Sequence, residues 1–591
     1  MGHPKIYKGR LVMVNEVTTL DRILFAIEHH KNFVLEAGAG SGKTYTLIQT
    51  LQFLNDVEII GNQKVLCITY TNVAKEEIIS RLNMISAGDR YIVSTMHEFL
   101  WGFFSSFQNE LQKEVKVLAI SRISKLTDEI NEARRKLEKP RANTNIEKQR
   151  TIIEENDRKI LKYDGVDFSS LSIVYDNYTA LYRGVISHDD VIEIANSFFQ
   201  KEFFVKLFVS CFPYVFIDEY QDTNYNLIAN IVNKTNEYGF SNRITIGLFG
   251  DKMQQIYDNK GELDISVFDE VIQKLENYRS NSKIINANNI LRSDSLIQSG
   301  DCQKAKVEFN KLQFIYNTSD DIDLRSLLNT EFKDYKRLYL SNKNIADEIG
   351  FRELSDLFSA KYNQNANEKL LKLDDPLINF ILNNILISMK LFEVGDFSSL
   401  MQLLRVKSVK ELEHSNSEIK KLFTKLDISI LEFKRIYSNH FLLDESRFKK
   451  IIESYDDIEF VERLLSIKTQ EFANLSKQIW GETQLSTMHG VKGAEFKNVI
   501  VNLFEGQPWS KYDFDSIINN HERIKTSVLR AHKLFYVACT RAEHGLVINY
   551  VCKEYSEEQE NLLKESIRFS LGTDIQFKVF KKLDNQKDYE N

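Results

Sequence analysis

Two short stretches of this chain carry residue types and spacings suited to phosphate chemistry. The first, FVLEAGAGSGKTYTL (Phe33–Leu47), places a glycine-rich loop between an apolar run and a helix-like pattern. Backbone N–H groups of such a loop cradle phosphate oxygens, and a following helix N-terminus favours their negative charge. Ala37, Gly38, Ala39, Gly40, Ser41 and Gly42 would form the cradle. Lys43 would reach the β- and γ-phosphates, and the Thr44 hydroxyl would ligate Mg2+. The second stretch, YVFIDEYQDTN (Tyr214–Asn224), delivers two adjacent carboxylates at the end of an apolar run. Asp218 would hold Mg2+ directly or through water, and Glu219 would polarise an attacking water. Each stretch alone has a plain alternative, a Gly/Ser turn before a helix or a strand end capped by solvated acids. Together they point to hydrolysis of a nucleoside triphosphate.

The elements that must position these residues are legible as short β-branched or aromatic runs, each followed by a helical pattern. NFVLEA, VLCIT, YIVST, YVFID and ITIGLF form one set, and LQFIY, RLYL, QLSTM, NVIVNL and GLVINY a second. Runs of this kind, bounded by loops, predict buried strands of parallel sheets, so the expected class is α/β with two such units. Each unit carries an insertion. From about residue 112 to 162 the chain is charged, glycine-free and periodic, which predicts a helical hairpin. Residues 364–480 form a second helical region with few strand-like runs. No internal repeat or low-complexity tail is visible.

A chain of 591 residues exceeds one ordinary core and divides into several domains. Only 5 prolines occur, which favours uninterrupted helices. The net charge of −7 does not argue against nucleic acid, because phosphate contact needs only a local basic track. Cys67, Cys211, Cys302, Cys539 and Cys552 are scattered without a CxxC pair, so neither a disulfide framework nor a zinc site is expected. The N-terminal residues lack the apolar segment of a signal peptide. The most apolar stretch, Phe203 to Ile217, is too short and interrupted to span a bilayer. A cytoplasmic protein with no membrane partner is the expectation.

DEYQDT (Asp218–Thr223) after AGAGSGKT (Ala37–Thr44) resembles the UvrD/Rep family of superfamily 1 helicases, and further segments follow in that family's order. ITYTNVAKEEIISRL (Ile68–Leu82) is similar to the family's TFTNKAA segment, which implies contacts from Thr69, Tyr70 and Asn72 to single-stranded DNA. VSTMHEFL (Val93–Leu100) resembles GTFHS and offers Thr95, His97 and Phe99. ISHDD (Ile186–Asp190) looks like DFDD. LFGDKMQQIY (Leu248–Tyr257) matches GDDDQSIY, with Gln254 at the position that senses the γ-phosphate and Tyr257 on the DNA side. In LENYRSNSKIINANNIL (Leu275–Leu291), similar to LxxNYRS, Tyr278 would stack on adenine and Arg279 would act as an arginine finger. LYLSNKNIADEIGF (Leu338–Phe351) is similar to a segment of the family's second motor domain. LSTMHGVKGAEFKNVIV (Leu485–Val501) matches TxHxAKGLEF and places Thr487 and His489 on DNA and Glu495 on the ribose. LFYVACTRAEHGLVI (Leu534–Ile548) matches LLYVAxTRAK, with Arg541 as a second arginine finger.

The resemblance implies two RecA-like parallel-sheet P-loop motor domains, each with a mainly helical insertion. Residues 1–100 and 186–280 would form the first motor domain, with 101–185 inserted. Residues 281–363 and 481–591 would form the second, with 364–480 inserted. ATP and Mg2+ are the implied cofactors, and ATP would sit between the motor domains. Single-stranded and partially duplex DNA are the implied partners, with 3′-to-5′ polarity. Two departures stand out. NEVTTLDRILFAIEHH, before the phosphate loop, lacks the family's adenine-reading glutamine, which leaves the base to stacking on Tyr278. After Tyr257 the family's aromatic residue is replaced by Asp258, Asn259, Lys260 and Gly261; Tyr257, or Trp101 and Phe103, would have to substitute as a base-stacking wedge.

These departures keep a second reading open: a DNA-sensing ATPase that unwinds poorly alone and works with a partner nuclease, as in compact relatives from bacterial anti-phage systems such as Gabija. Repair and defence are both compatible with the motifs. Asp574 and Lys578, after the last motif, read as a solvated strand. A P-loop protein that is not a nucleic-acid motor is a third class, but the LSGGQ-like segment of transporter ATPases is absent.

Overall fold

The computed structural model describes residues 3–7, 10–14, 17–56, 63–83, 90–140, 145–256, 263–300, 311–318, 334–404, 429–432, 445–506, 511–519 and 525–581. Tyr257 and its four successors, and Cys302, lie outside these. Two compact units divide the chain: Met1–Arg279 with Arg292–Cys302, and Ser280–Leu291 with Gln303–Asn591.

The first unit is built on strands β1 (Phe33–Ala37), β2 (Val65–Thr69), β3 (Tyr91–Thr95), β4 (Tyr214–Asp218), β5 (Thr245–Gly250) and β6 (Glu270–Lys274). They form one sheet in the order β6–β1–β5–β4–β2–β3, with every pairing parallel. Helices on both faces bury β1, β2, β4 and β5 completely, which is why these strands read as continuous apolar runs. The edge strand β6, EVIQK, alternates between exposed and buried residues. It has no apolar run to announce it and was not anticipated from sequence.

Helices α1 (Lys43–Asp56), α2 (Asn72–Asn83) and α3 (Met96–Phe104) start directly after, or within a few residues of, β1, β2 and β3. Helix α4 (Gln108–Glu138) then runs about 46 Å at 1.5 Å per residue. It packs along α5 (Ile146–Leu161), where the buried Asn156 donates to Glu129 at 2.8 Å. This is the helical hairpin that the charged, glycine-free stretch predicts. Helices α6 (His188–Phe198) and α7 (Glu202–Cys211) close a phenylalanine-rich core against α3. Phe104 lies at its centre, with ring centroids 4.5 Å from Phe198, 5.1 Å from Phe103 and 6.0 Å from Phe204. Asp190, within the ISHDD segment, is fully buried. It accepts hydrogen bonds from Arg122, from Thr179 at 2.8 Å and from the Ser187 N–H at 2.8 Å, so it anchors the insertion to the start of α6.

The second unit repeats the architecture with β7 (Lys311–Thr318), β8 (Lys336–Tyr339), β9 (Leu485–Thr487), β10 (Phe496–Phe504), β11 (Ala542–Val551) and β12 (Gln576–Lys581). The order is β9–β8–β10–β11–β7–β12, again parallel throughout. Lys578 lies on the edge strand β12. Helix α8 (Ser282–Leu291) belongs to this unit and packs on α9 (Thr526–Cys539) and α10 (Glu557–Leu571). The described part of 364–480 is almost entirely helical, and with the helices just before it forms its own core around Phe358, Phe380, Phe460 and Phe472. Among the described residues no helix is long and apolar enough to cross a membrane.

Phe104→Ala removes a ring from a tightly packed aromatic cluster. We expect it to destabilise the first unit by about 3–5 kcal/mol. Urea denaturation of the full chain reads this directly, and a shift below about 1 kcal/mol would mean that the cluster collapses freely around the deletion.

Candidate nucleotide and nucleic-acid site

All six strands of the first sheet run the same way, so their C-terminal ends share one edge. In open parallel sheets this edge is where ligands are received. Ala37 ends β1 and leads into the glycine loop, Asp218 ends β4, and β5 leads into the turn carrying Gln254. Further across, Thr69 ends β2 and Thr95 ends β3.

The loop is shaped by close backbone approach. Gly40 has a φ of +74°, and a Cβ there would lie 2.7 Å from Arg279 Cβ and 2.9 Å from Asn277 Oδ1. A Cβ on Gly38 would meet the Gln298 side chain at 2.4 Å. Three groups grip the loop carbonyls: Asn277 Nδ2 and Gln298 Nε2 donate to Ala39 O at 3.0 and 3.1 Å, and Tyr278 N donates to Gly40 O at 2.8 Å. Committing the carbonyls to protein donors leaves the loop with a donor-rich face. Ser41 Oγ is buried without a protein partner, an orphaned hydroxyl suited to a phosphate or bound water. Lys43, buried at the start of α1, donates to Ala37 O at 3.2 Å. Thr44 follows it half-buried.

Asp218 is buried, and burial together with the adjacent Glu219 pushes its carboxyl well above the ordinary range, against the pull of Lys43. A carboxylate in that position gains from a cation beside it, and Thr44 and Asp218 would offer hard oxygen donors of the kind Mg2+ prefers. The residues present therefore fit the metal. Glu219 adopts φ +49°, a left-handed conformation rare outside glycine, and costs of this kind concentrate at functional sites. Its N–H donates to Asp218 Oδ1 at 3.0 Å, and its carboxylate accepts from Gln221 Nε2. Gln254 is buried on a short turn, with Nε2 donating to Asp251 Oδ2 at 2.9 Å. Burial works against the charge of Asp251, but Arg292 and Lys43 outweigh it and hold the carboxyl below its ordinary value.

Tyr278 exposes its ring, with Lys274 Nζ 5.7 Å from the centroid, and Arg279 is half-buried beside the loop. The structure thus brings Ala37–Thr44, Asp218, Glu219, Gln254, Tyr278 and Arg279 together in the first unit. Glu495 and Arg541 belong to the second. Glu495 is exposed, while Arg541 is 1% exposed. The Arg541 guanidinium donates to Val537 O at 3.0 Å, Thr540 Oγ1 at 2.9 Å and Ala494 O at 3.3 Å. It is held by its own unit in this conformation.

Of the residues expected to contact DNA, Tyr70 and Asn72 are exposed at the start of α2, and Thr69 is buried with Oγ1 unpartnered. Lys75 of α2 pairs with Glu98 of α3 at 2.7 Å, tying the TYTN and STMH segments together. Half-exposed His97 is kept below its ordinary value by burial and by His188. The rings of Trp101, Tyr175, His188 and His97 follow one another at 6.0, 5.2 and 4.9 Å, a row with partial exposure. Phe103 is also half-buried and packs among Phe99, Phe104, Phe208 and Phe212. In the second unit, Thr487 Oγ1 accepts from Gly490 N at 3.1 Å, and His489 Nε2 lies 2.8 Å from the Tyr512 hydroxyl.

Sequence reasoning missed four residues that shape this site. Asn277 stood inside a quoted motif without a role. Glu36, whose carboxylate accepts from Tyr220, looked like part of an apolar strand. Gln298 and Arg292 fall in no motif, and only the folded chain carries them to the loop and to Asp251.

Gly40→Ala should cost the chain its nucleotide affinity by at least roughly tenfold, because both the positive φ and the approach of Arg279 forbid a side chain. Titration with a fluorescent ATP analogue measures this, and parent-like affinity would sink the loop assignment.

Residues 22–276 match the family model for the UvrD/REP helicase N-terminal domain, and residues 309–553 match that for the UvrD-like helicase C-terminal domain. The chain is 25% identical to the Gabija protein GajB of Bacillus cereus (strain HuB5-5), over 91% of this chain and 95% of that protein. It is 23% identical to the ATP-dependent DNA helicase Rep of Buchnera aphidicola subsp. Acyrthosiphon pisum, over 88% and 92%. To the ATP-dependent DNA helicase PcrA of Staphylococcus aureus (strain Mu50) it is 22% identical, over 90% and 83%. With the phosphate loop, the buried carboxylates and Gln254 gathered on one sheet edge and both family models matched in order, the chain belongs to the UvrD/REP helicase family and is an ATP-hydrolysing DNA helicase.

Proposed function

We propose that this chain is an ATP- and Mg2+-dependent translocase on single-stranded DNA that unwinds duplexes with 3′-to-5′ polarity. The observation that supports the reading is the placement of the motifs on a single sheet edge: the segments expected to handle phosphate follow β1, β4 and β5, and those expected to contact the strand follow β2 and β3. A change at Asp218 or Gln254 is then relayed to Thr69, Tyr70, Asn72, Thr95 and His97 through the same sheet.

The loop N–H groups and Lys43 bind the β- and γ-phosphates, and Tyr278 stacks on the base. Thr44 and Asp218 would hold Mg2+, which when bound neutralises charge on the phosphate oxygens. Glu219 orients a water and accepts its proton, while Gln254 contacts the γ-phosphate and Arg279 stabilises charge as it develops. Arg541 and Glu495 take the roles of second arginine finger and ribose ligand, and Arg541 must first leave the carbonyls of Val537 and Ala494. Thr487, His489 and Tyr257 complete the DNA contacts. The proposed domain division follows the motifs, with motor residues 1–100 and 186–280, then 281–363 and 481–591, and insertions 101–185 and 364–480, except that Arg292–Cys302 pack with the first unit.

A second reading is favoured by the match to GajB over nearly the whole of both chains. In it the chain is a DNA-sensing ATPase that acts with a nuclease partner in anti-phage defence and unwinds poorly alone.

Strand displacement by the purified chain separates the two. Unwinding of a 3′-tailed but not a 5′-tailed duplex supports the autonomous motor, whereas DNA-stimulated ATPase without unwinding supports the partner-dependent one. In either case Lys43→Ala should lower ATP turnover by roughly a hundredfold or more. Parent-rate hydrolysis by that variant would refute the site.

A further inference from the structure

Arg292 is the first residue after α8, at the point where the chain returns from the second unit to the first. Its side chain is 1% exposed, and within the first unit it lies between two carboxylates. Nη1 and Nη2 donate to Asp251 Oδ2 and Oδ1 at 3.2 and 3.1 Å. Nε and Nη2 donate to Asp294 Oδ1 and Oδ2, both at 2.7 Å. Asp251 in turn organises the turn that carries Gln254: Oδ1 accepts from Met253 N at 3.1 Å and Oδ2 from Gln254 Nε2 at 2.9 Å.

We propose that Arg292 is a positioning residue for ATP hydrolysis, acting through Asp251 on the side chain of Gln254. An ionised carboxylate only accepts hydrogen bonds, so it selects the Nε2 side of the Gln254 amide and fixes which way that amide faces. A protonated carboxyl accepts and donates and no longer makes that choice. Asp251 is buried with Glu36 in electrostatic range, an environment that disfavours its charge. The bidentate guanidinium keeps it ionised and locks its plane. Asp294 takes two further N–H groups of Arg292, which holds the arginine from its other side. Arg292 touches no reacting atom; its effect passes through the orientation of Gln254.

The inference rests on the reading of Gln254 as the residue that contacts the γ-phosphate, and the experiment keeps the two apart. Steady-state ATPase of the full chain with saturating single-stranded DNA is compared for Gln254→Ala, Arg292→Gln, Arg292→Lys and the Arg292→Gln/Gln254→Ala double variant. We expect Arg292→Gln to lower kcat roughly tenfold while KM for ATP stays within about twofold, and Arg292→Lys to recover part of the loss. In the Gln254→Ala background, Arg292→Gln should change kcat by less than about twofold. Parent kcat in Arg292→Gln beside a slow Gln254→Ala overturns the positioning role alone. So does a further roughly tenfold loss of kcat when Arg292→Gln is added to Gln254→Ala, or a loss confined to KM. Parent kcat in Gln254→Ala overturns the Gln254 reading and the proposal with it. Should Arg292→Gln not fold, Arg292→Lys, which keeps the cation but cannot bridge both carboxylates, is tested alone and in the Gln254→Ala background, with the same criteria.

Discussion

Lys43, Asp218, Asp251 and Arg292 are each less than a tenth exposed, gathered behind the phosphate loop at the carboxyl edge of the first sheet. Isolated charges at such depth cost several kcal/mol each, and pairing offsets this only when geometry and hydrogen bonds are good. Arg292 meets that condition for Asp251. Asp218 is served less fully, since Lys43 stands against both burial and Glu219. The edge is therefore balanced on one side and short of positive charge on the other. A divalent cation at Asp218 would complete it, which ties ligand binding to the electrostatics of the fold itself.

The loop in front of these charges depends on a different economy of hydrogen bonds. Its carbonyls at Ala39 and Gly40 are occupied by Asn277, Gln298 and the Tyr278 backbone. Residues 275–279 and 298–299 run beside one another, through the backbone bonds of Asn277 with Ser299 and of Ser299 with Leu275. Both segments thus press the glycine loop from one side. That is why Gly40, which faces Arg279 and Asn277 at a positive φ, tolerates no side chain, and why a side chain at Gly38 would displace the Gln298 amide. The arrangement also places the exposed Tyr278 ring beside Gly42, where stacking rather than an upstream glutamine is available to hold a base.

The neighbouring strands β2 and β3 carry the residues assigned to DNA, and their geometry is stiffened by the Lys75–Glu98 pair and by the aromatic core beneath α3. Half-buried Phe103 lies one turn from Phe99 and shares its neighbours Phe208 and Phe212. Trp101, two residues earlier, faces the other way and meets Tyr175 of the insertion. Helical periodicity places these two residues on different faces, although sequence alone treats both as aromatic candidates.

Periodicity and apolar runs by themselves determined the α/β class, ten of the strands and the helical hairpin, because buried parallel strands must be continuously apolar and solvated helices must not be. The edge strand Glu270–Lys274 escaped for the converse reason, since half its residues face water. Motif order alone singled out Lys43, Asp218, Glu219, Gln254 and Arg279 as candidates, because the proposed chemistry constrains both residue type and local spacing. What only the tertiary structure decided were the contacts made at long sequence separation. Arg292 finds Asp251 across 41 positions, and Gln298 finds Ala39 across 259. Nothing in the local sequence constrains such pairs, because a buried carboxylate or carbonyl needs a donor of the right kind without regard to where in the chain it originates.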